Sequence, residues 1–396
     1  MRAKLLLFLL TCSSFLSFAQ QRKAIYIPQE LRDNDFTNPE SQWSYSRMAE
    51  TPNVVLFWES GFGSDLSKAP DLDGHPMTVD LPNLLSRLEY FYQVYRDMMR
   101  FTLSGSKAEQ YKMMVMLSYS LEGTAYGGCF GNVIGALWIT PNRVQDRSLN
   151  CIAHELGHSF QAQISCDGEG KGIGGGFFEM ASQWMLWNVN PSWPSDENYH
   201  WKAFIEDANL SFLAMENIYR SPYLLEYWSM KHGLTVIADL FRTCRKDEDA
   251  AQAYMRMFNI SSEDFAREAV DCYSRLVTFD FPGKHEQNKQ YAGQFLNEKP
   301  LGTFGANVIK LGKRVGRIKL KGEKSLGYAF RLVAINDQAQ ATYGPITTLS
   351  GGKHSCGTAH ILLPADVKEV YLVVTGFLPG TYEPQSPVTY SYSYKC

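Results

Sequence analysis

The sequence predicts an α+β chain in two parts, and three observations carry that prediction. Runs rich in β-branched and aromatic residues at 53–58, 111–119 and 133–140 read as buried strands, and helical periodicity dominates from 177 to 277. Beyond Pro282 the pattern reverts to short alternating segments punctuated by Gly, Pro and Asp. At 396 residues the chain exceeds the usual length of one compact domain. The expected division is a leader over 1–19, a mixed α+β domain over 20–287 and an all-β sandwich over 288–396.

Composition narrows the class. Hydrophobic residues make up 45% and aromatic residues 13%, which excludes a disordered chain. A net charge of -3 without any basic tract excludes nucleic acid and anionic membrane surfaces as partners. The first residues combine Arg2 and Lys4 with an apolar run over 5–10 and a small residue, Ala19, before Gln20. This is the pattern of a secretory signal peptide; a lipid anchor on Cys12 is the weaker reading, because Thr11 precedes it and the lead is short. No later stretch reaches the roughly 18 apolar residues of a spanning helix. The expected location is therefore secreted, periplasmic or cell-surface, without a membrane span; oligomeric state is not legible.

Seven cysteines follow the leader, an odd number for an exported chain. Cys356 and Cys396 share the last segment and are the first pair to join. Cys151 and Cys166 flank a histidine motif but have no C-x-x-C partner, so they read as buried thiols or half of a disulfide.

In chain order, 20–51 is polar and irregular, and NVVLFW at 53–58 is the first strand. The loop around Asp71, Asp73 and Gly74 lacks most calcium-ligand positions and reads as a turn. Over 80–102 a helix places Leu84, Leu88, Phe91, Tyr95 and Met98 on one stripe, with Pro82 near its start. Strands follow at 111–119 and 133–140, joined by a glycine-containing connection at 124–131. Residues 136–139 are assigned the role of pairing with an extended peptide.

Residues 149–161, LNCIAHELGHSFQ, carry His154, Glu155 and His158 as H-E-x-x-H. On a helix the two histidines lie one turn apart on one face and can grip one metal ion, with zinc the natural choice for imidazole. Glu155 then stands beside a metal-held water as general base. Asp146 and Ser148 are suitable caps for this helix, which is expected to run to about residue 163. The glycine-rich stretch 167–176 lets the chain return, and FFEMASQWMLWN at 177–188 reads as a second helix that brings Glu179 as third ligand. Gln183, one turn on, is placed to bond a ligand histidine. Further helices are expected at 199–215, 223–231, 234–245, 250–258 and 262–277. Tyr219, Tyr223 and His232 are the polar candidates for stabilising an oxyanion, with Tyr219 and Tyr223 grouped with Glu155 as catalytic. The final strands are expected at 315–321, 328–335, 359–363 and 369–377.

H-E-x-G-H followed after 20 residues by Glu179 resembles the gluzin branch of the zincin metallopeptidases, a branch that includes enhancin-like, mucin-directed peptidases. The metzincin pattern is absent, since Gln161 and Ile164 stand where it requires Gly and His. More closely, ALWITP, IAHELGHSFQ, GGGFFEMASQW, EYWSMKHG and GANVIKL together resemble a group of secreted bacterial metallopeptidase-like proteins of no established substrate. That resemblance implies a zincin-like domain with Zn2+ on His154, His158 and Glu179, and Glu155 as base. It further implies hydrolysis of an extracellular protein or glycoprotein. Gluzins often place an aspartate four residues after the ligand glutamate, where this chain has Gln183. The competing reading is a surface glycan- or protein-binding protein whose zinc site is structural or vestigial.

Overall fold

The computed structural model describes residues 22–170, 172–173, 176–380 and 391–396. The leader read over 1–19 lies outside the described residues, as does part of the glycine-rich stretch.

Five strands form the first sheet: β1 (Met48–Glu50), β2 (Val54–Trp58), β3 (Met113–Leu117), β4 (Ala125–Phe130) and β5 (Ile134–Ile139), in the spatial order β1-β2-β3-β5-β4. β2, β3 and β5 are parallel, while β1 and β4 run antiparallel to their neighbours. Every residue of β2 and β3 is buried, the continuous apolar pattern of parallel strands covered on both faces. The stretch read as a connection at 124–131 is thus strand β4, which forms one edge of the sheet, with β1 at the other. β5 has partners on both sides, so residues 136–139, expected to pair with an extended peptide, have no free edge for one.

Helix α1 (Leu81–Gln93) crosses between β2 and β3, with Asp80 capping the amide of Asn83 at 3.1 Å. Leu84, Leu88, Phe91 and Tyr95 are buried as the periodicity requires, but Met98 is exposed and Met99 is buried instead. Val94–Met98 is a π-helical turn, and its wider pitch moves the inward position one residue on.

Helices α2 (Asn150–Cys166) and α3 (Phe177–Val189) come next. Neither Asp146 nor Ser148 caps α2. Leu149 takes that place in a left-handed conformation, φ 52°, so the helix starts later than the cap residues suggest. The helical region continues as α4 (Trp193–Asp196), α5 (Asn198–Asp207), α6 (Tyr223–His232), α7 (Val236–Thr243), α8 (Ala250–Phe258), α9 (Ser262–Leu276) and α10 (His285–Asn288). Asp249 and Ser261 each close a capping box, at α8 and α9. The helix expected over 199–215 stops at Asp207, and the following irregular stretch carries Tyr219. Among the described residues no helix is long and apolar enough to cross a membrane.

The C-terminal strands are β6 (Ala306–Lys310), β7 (Arg317–Gly322), β8 (Gly327–Asn336), β9 (Ala341–Tyr343), β10 (Thr347–Leu349), β11 (Cys356–His360), β12 (Val367–Phe377) and β13 (Tyr392–Lys395). One sheet runs β10-β8-β12-β6 with β9 also on β8; a second runs β11-β7-β13. β8 and β12 divide their side chains between two cores. Tyr328, Phe330, Leu332, Val370, Leu372 and Val374 pack toward the smaller sheet with Ile318 and Leu320. Ala329, Val333, Tyr371, Val373 and Phe377 face the helices and belong to the main core. Arg331, on that same face, pairs with Asp271 of α9 at 2.5 Å. The larger sheet therefore shares its inner core with the helical region.

Cys356 and Cys396 are both exposed free thiols. The expected bond between them is not formed, because β7 lies between β11 and β13. Two strand spacings, roughly 9.5 Å, exceed the Cα separation of about 7 Å that a disulfide tolerates.

Candidate metal centre

α2 and α3 pack face to face because Gly157 removes a side chain where they meet. A Cβ there would come within 2.8 Å of Ser182 Oγ. This close approach lets Glu179, in the first turn of α3, reach both histidines one turn apart on α2. His154 Nε2 and His158 Nε2 each lie 3.0 Å from Glu179 Oε2 and 3.1 Å from one another. They form the single group of three His, Cys, Asp or Glu residues among the described residues that could hold a metal ion. Ligands bound to zinc at about 2.0 Å in a tetrahedral array stand roughly 3.3 Å apart, so two imidazoles and a carboxylate at these spacings fit the ion in both chemistry and size.

The hydrogen bonds behind the histidines fix which nitrogen faces the centre. Gln183 donates its Nε2 to Tyr219 O at 2.7 Å, which leaves its Oε1 to accept from His154 Nδ1 at 2.9 Å. Gln161 donates to Phe178 O and Ser182 Oγ, which leaves its Oε1 to accept from His158 Nδ1 at 3.0 Å. Each neutral imidazole thus carries its proton on Nδ1 with its Nε2 lone pair turned inward, and a second proton, when taken up on Nε2, is donated to Glu179. Gln183 was legible as an orienting residue; Gln161 and Ser182 were not, although Gln161 follows His158 at helical i+3 spacing.

Glu155 points to the edge strand. Its Oε2 accepts the amide N–H of Gly127 on β4 at 2.9 Å. A Cβ on Gly127 would overlap the Glu155 carbonyl oxygen and lie within 2.8 Å of His158 Cβ, so only glycine lets β4 lie this close to α2. Burial raises the Glu155 carboxyl above the usual range, against the lowering influence of both histidines. Burial also disfavours charge on Glu179, but hydrogen bonds from His154 and His158 outweigh it and hold that carboxyl well below its ordinary value. Burial lowers and the Glu179 hydrogen bond raises His158, with a net rise.

A family model with the description "Family of unknown function (DUF6055)" matches residues 17–395. The chain belongs to that family. No curated protein matches it. Among solved structures, the catalytic module of the metalloprotease ZmpA from Clostridium perfringens is 10% identical with a TM-score of 0.37, the match covering 84% of this chain and 68% of that one. A functionally unknown conserved protein from Bacillus anthracis str. Ames is 9% identical with a TM-score of 0.38, covering 89% of this chain and 74% of that one. At these TM-scores the likeness is too slight to transfer an activity.

The three oxyanion candidates separate within the DUF6055 fold. Tyr219 stands beside the centre: its ring lies 6.0 Å from that of His154, and its hydroxyl feels the Glu179 carboxylate. Burial and the Glu179 charge push that hydroxyl up to about 12. Tyr223 does not reach the site. It is fully buried at the start of α6 among Trp187, Trp201, Phe204 and Phe279, because its neighbours on that turn form the helical core. Its hydroxyl meets no hydrogen-bond partner among the described residues. His232, at the far end of α6, bonds Tyr254 at 2.8 Å and stacks on Phe258. A hollow of about 200 Å³ opens beside His154 and Glu155, with Arg143, Cys151, Glu197, Tyr199 and His200 also on its wall. Cys151 was read from sequence only as a thiol flanking the motif, and the other four carried no sequence signal, since Arg143 and the 197–200 stretch are brought to α2 only by folding.

Proposed function

We propose that this chain is an exported zinc metallopeptidase that cleaves peptide bonds of an extracellular protein or glycoprotein. The observation that supports the reading best is the inward convergence of three lone-pair donors, two Nδ1-protonated imidazoles and the Glu179 carboxylate, beside a second, half-buried carboxylate on Glu155. His154, His158 and Glu179 would hold the ion. Zinc, when bound, supplies Lewis acidity toward a carbonyl oxygen and acidifies a water molecule.

The chain's own residues account for the remaining work. β4 is one edge of the sheet, the one that lies against α2, so an extended peptide can add to it through backbone hydrogen bonds, which brings a peptide bond past Glu155. Glu155 takes a proton from the attacking water at its carboxylate and returns it to the leaving amine, a task suited to a carboxyl raised by burial. The Gly127 amide orients that carboxylate. Tyr219 offers its hydroxyl beside the centre, where it can donate to the oxygen that gains charge.

The test is Glu155→Gln in the full chain. This variant keeps stoichiometric zinc by metal analysis and loses cleavage of a mixed peptide library by roughly a thousandfold or more. Cleavage at the unaltered rate would sink the reading.

A further inference from the structure

We propose that Cys129 and Cys166 form a disulfide that staples the edge strand β4 to the C-terminal end of the metal-site helix α2. The two thiols belong to different elements, yet they meet. On β4, Cys129 lies two residues beyond Gly127 and so shares the strand face that lies against α2. Its neighbour across the sheet is Gly135, whose N–H donates to Gln163 Oε1 at 2.8 Å, three residues before the last residue of the helix, Cys166. Lys107 ties the same two points together, since its Nζ bonds the carbonyl of Asn132 at 3.1 Å and that of Cys166 at 2.6 Å. The two side chains interact, each thiol altering the acidity of the other. Both are free in this structure, Cys129 partly exposed and Cys166 buried.

The chemistry assigns an order to the two sulfurs. The Cys166 thiol lowers the Cys129 thiol to about 7 against the opposing effect of burial, while Cys129 and burial together raise Cys166. Cys129, the more accessible and more acidic of the two, is the nucleophile. Its thiolate attacks one sulfur of an external low-molecular-weight disulfide, and the first external thiol leaves. Cys166 then loses its proton and attacks Cys129 Sγ in the mixed disulfide, expelling the second external thiol. Two protein thiols are oxidised, one external disulfide is reduced to two thiols, and the protons lost by the cysteines appear on the departing thiols.

The closed loop runs from 129 to 166 and encloses His154, Glu155 and His158. Closing it restricts the unfolded chain and also holds β4, with the Gly127 amide, against Glu155.

The full chain is equilibrated with oxidised glutathione at neutral pH, treated with N-ethylmaleimide and digested without reductant. The expected product is a peptide pair joined through Cys129 and Cys166, two hydrogen masses below the sum of the thiol forms. Reduction lowers the thermal midpoint by roughly 5 °C, and Cys166→Ser shows neither the cross-link nor any response to reductant. Alkylation of both cysteines in the oxidised, folded chain, or a cross-link from either to another cysteine, overturns the proposal. Peptide mapping of the unaltered chain decides the matter even where the serine variant does not fold.

Discussion

The amide oxygen of Gln183 accepts the Nδ1 proton of His154 at 2.9 Å, where gluzin-type sequences often carry an aspartate. An amide serves here because its own NH₂ group is anchored on the Tyr219 carbonyl, so Oε1 has one remaining direction. Gln183→Leu removes the acceptor, frees the imidazole to rotate or change tautomer, and weakens zinc binding by about 10- to 100-fold. Competition with a chelating indicator measures this, with the thermal midpoint of the metal-free protein as control for folding. An affinity equal to that of the parent would show that the ring is held by packing alone.

Three inward lone-pair donors within 3.1 Å repel one another unless a cation or proton sits among them. Zinc added to chelator-treated protein therefore raises the thermal midpoint, by an amount equivalent to about 2.7 kcal/mol at a hundredfold excess over the dissociation constant. His158→Ala abolishes the rise. A midpoint indifferent to zinc in the parent chain would contradict the assignment of these donors.

The convergence of His154 and His158 was legible because its spacing is local: i and i+4 on α2 need only a helix to share one face. Glu179 was legible because an acid in an otherwise apolar helix demands a partner. What escaped was set by close packing between elements. β4 reads as a loop because Gly127 and Gly128 interrupt it, yet Gly127 is there so that the strand can touch α2. β8 and β12 show no apolar-polar alternation, since both of their faces are buried in different cores. Tyr219 and Tyr223 are indistinguishable by composition, and only the turn before α6 separates an exposed phenol from a buried one.

That separation gives opposite outcomes for one chemical change. Tyr223→Phe removes a buried hydroxyl without a partner among the described residues, so it leaves stability unchanged or raises it by up to about 1 kcal/mol and spares cleavage. Tyr219→Phe removes a half-exposed hydroxyl beside Glu179, so the midpoint stays and turnover falls by roughly 100-fold. Denaturant titration and peptide turnover on both variants check this, and a loss of turnover in Tyr223→Phe alone would reverse the assignment.

Adjacent glycines on β4 provide the most direct test of the contact between strand and helix. At Gly127 an added Cβ meets the Glu155 carbonyl oxygen and His158 Cβ, both part of a packed helix that cannot yield without moving His154 and His158. At Gly128, on the opposite face, an added Cβ meets Trp138 at an ordinary 3.5 Å. Gly127→Ala is therefore expected to cost about 1–3 kcal/mol through overpacking and to weaken zinc binding, because α2 must shift. Gly128→Ala fills open space and removes some backbone entropy from the unfolded chain, so its effect stays within about 0.5 kcal/mol. Unfolding free energies and zinc affinities of the two variants, measured side by side, report whether β4 bears on the centre. Equal behaviour of the pair would mean that the strand does not press on the helix, and the orienting role of the Gly127 amide toward Glu155 would fall with it.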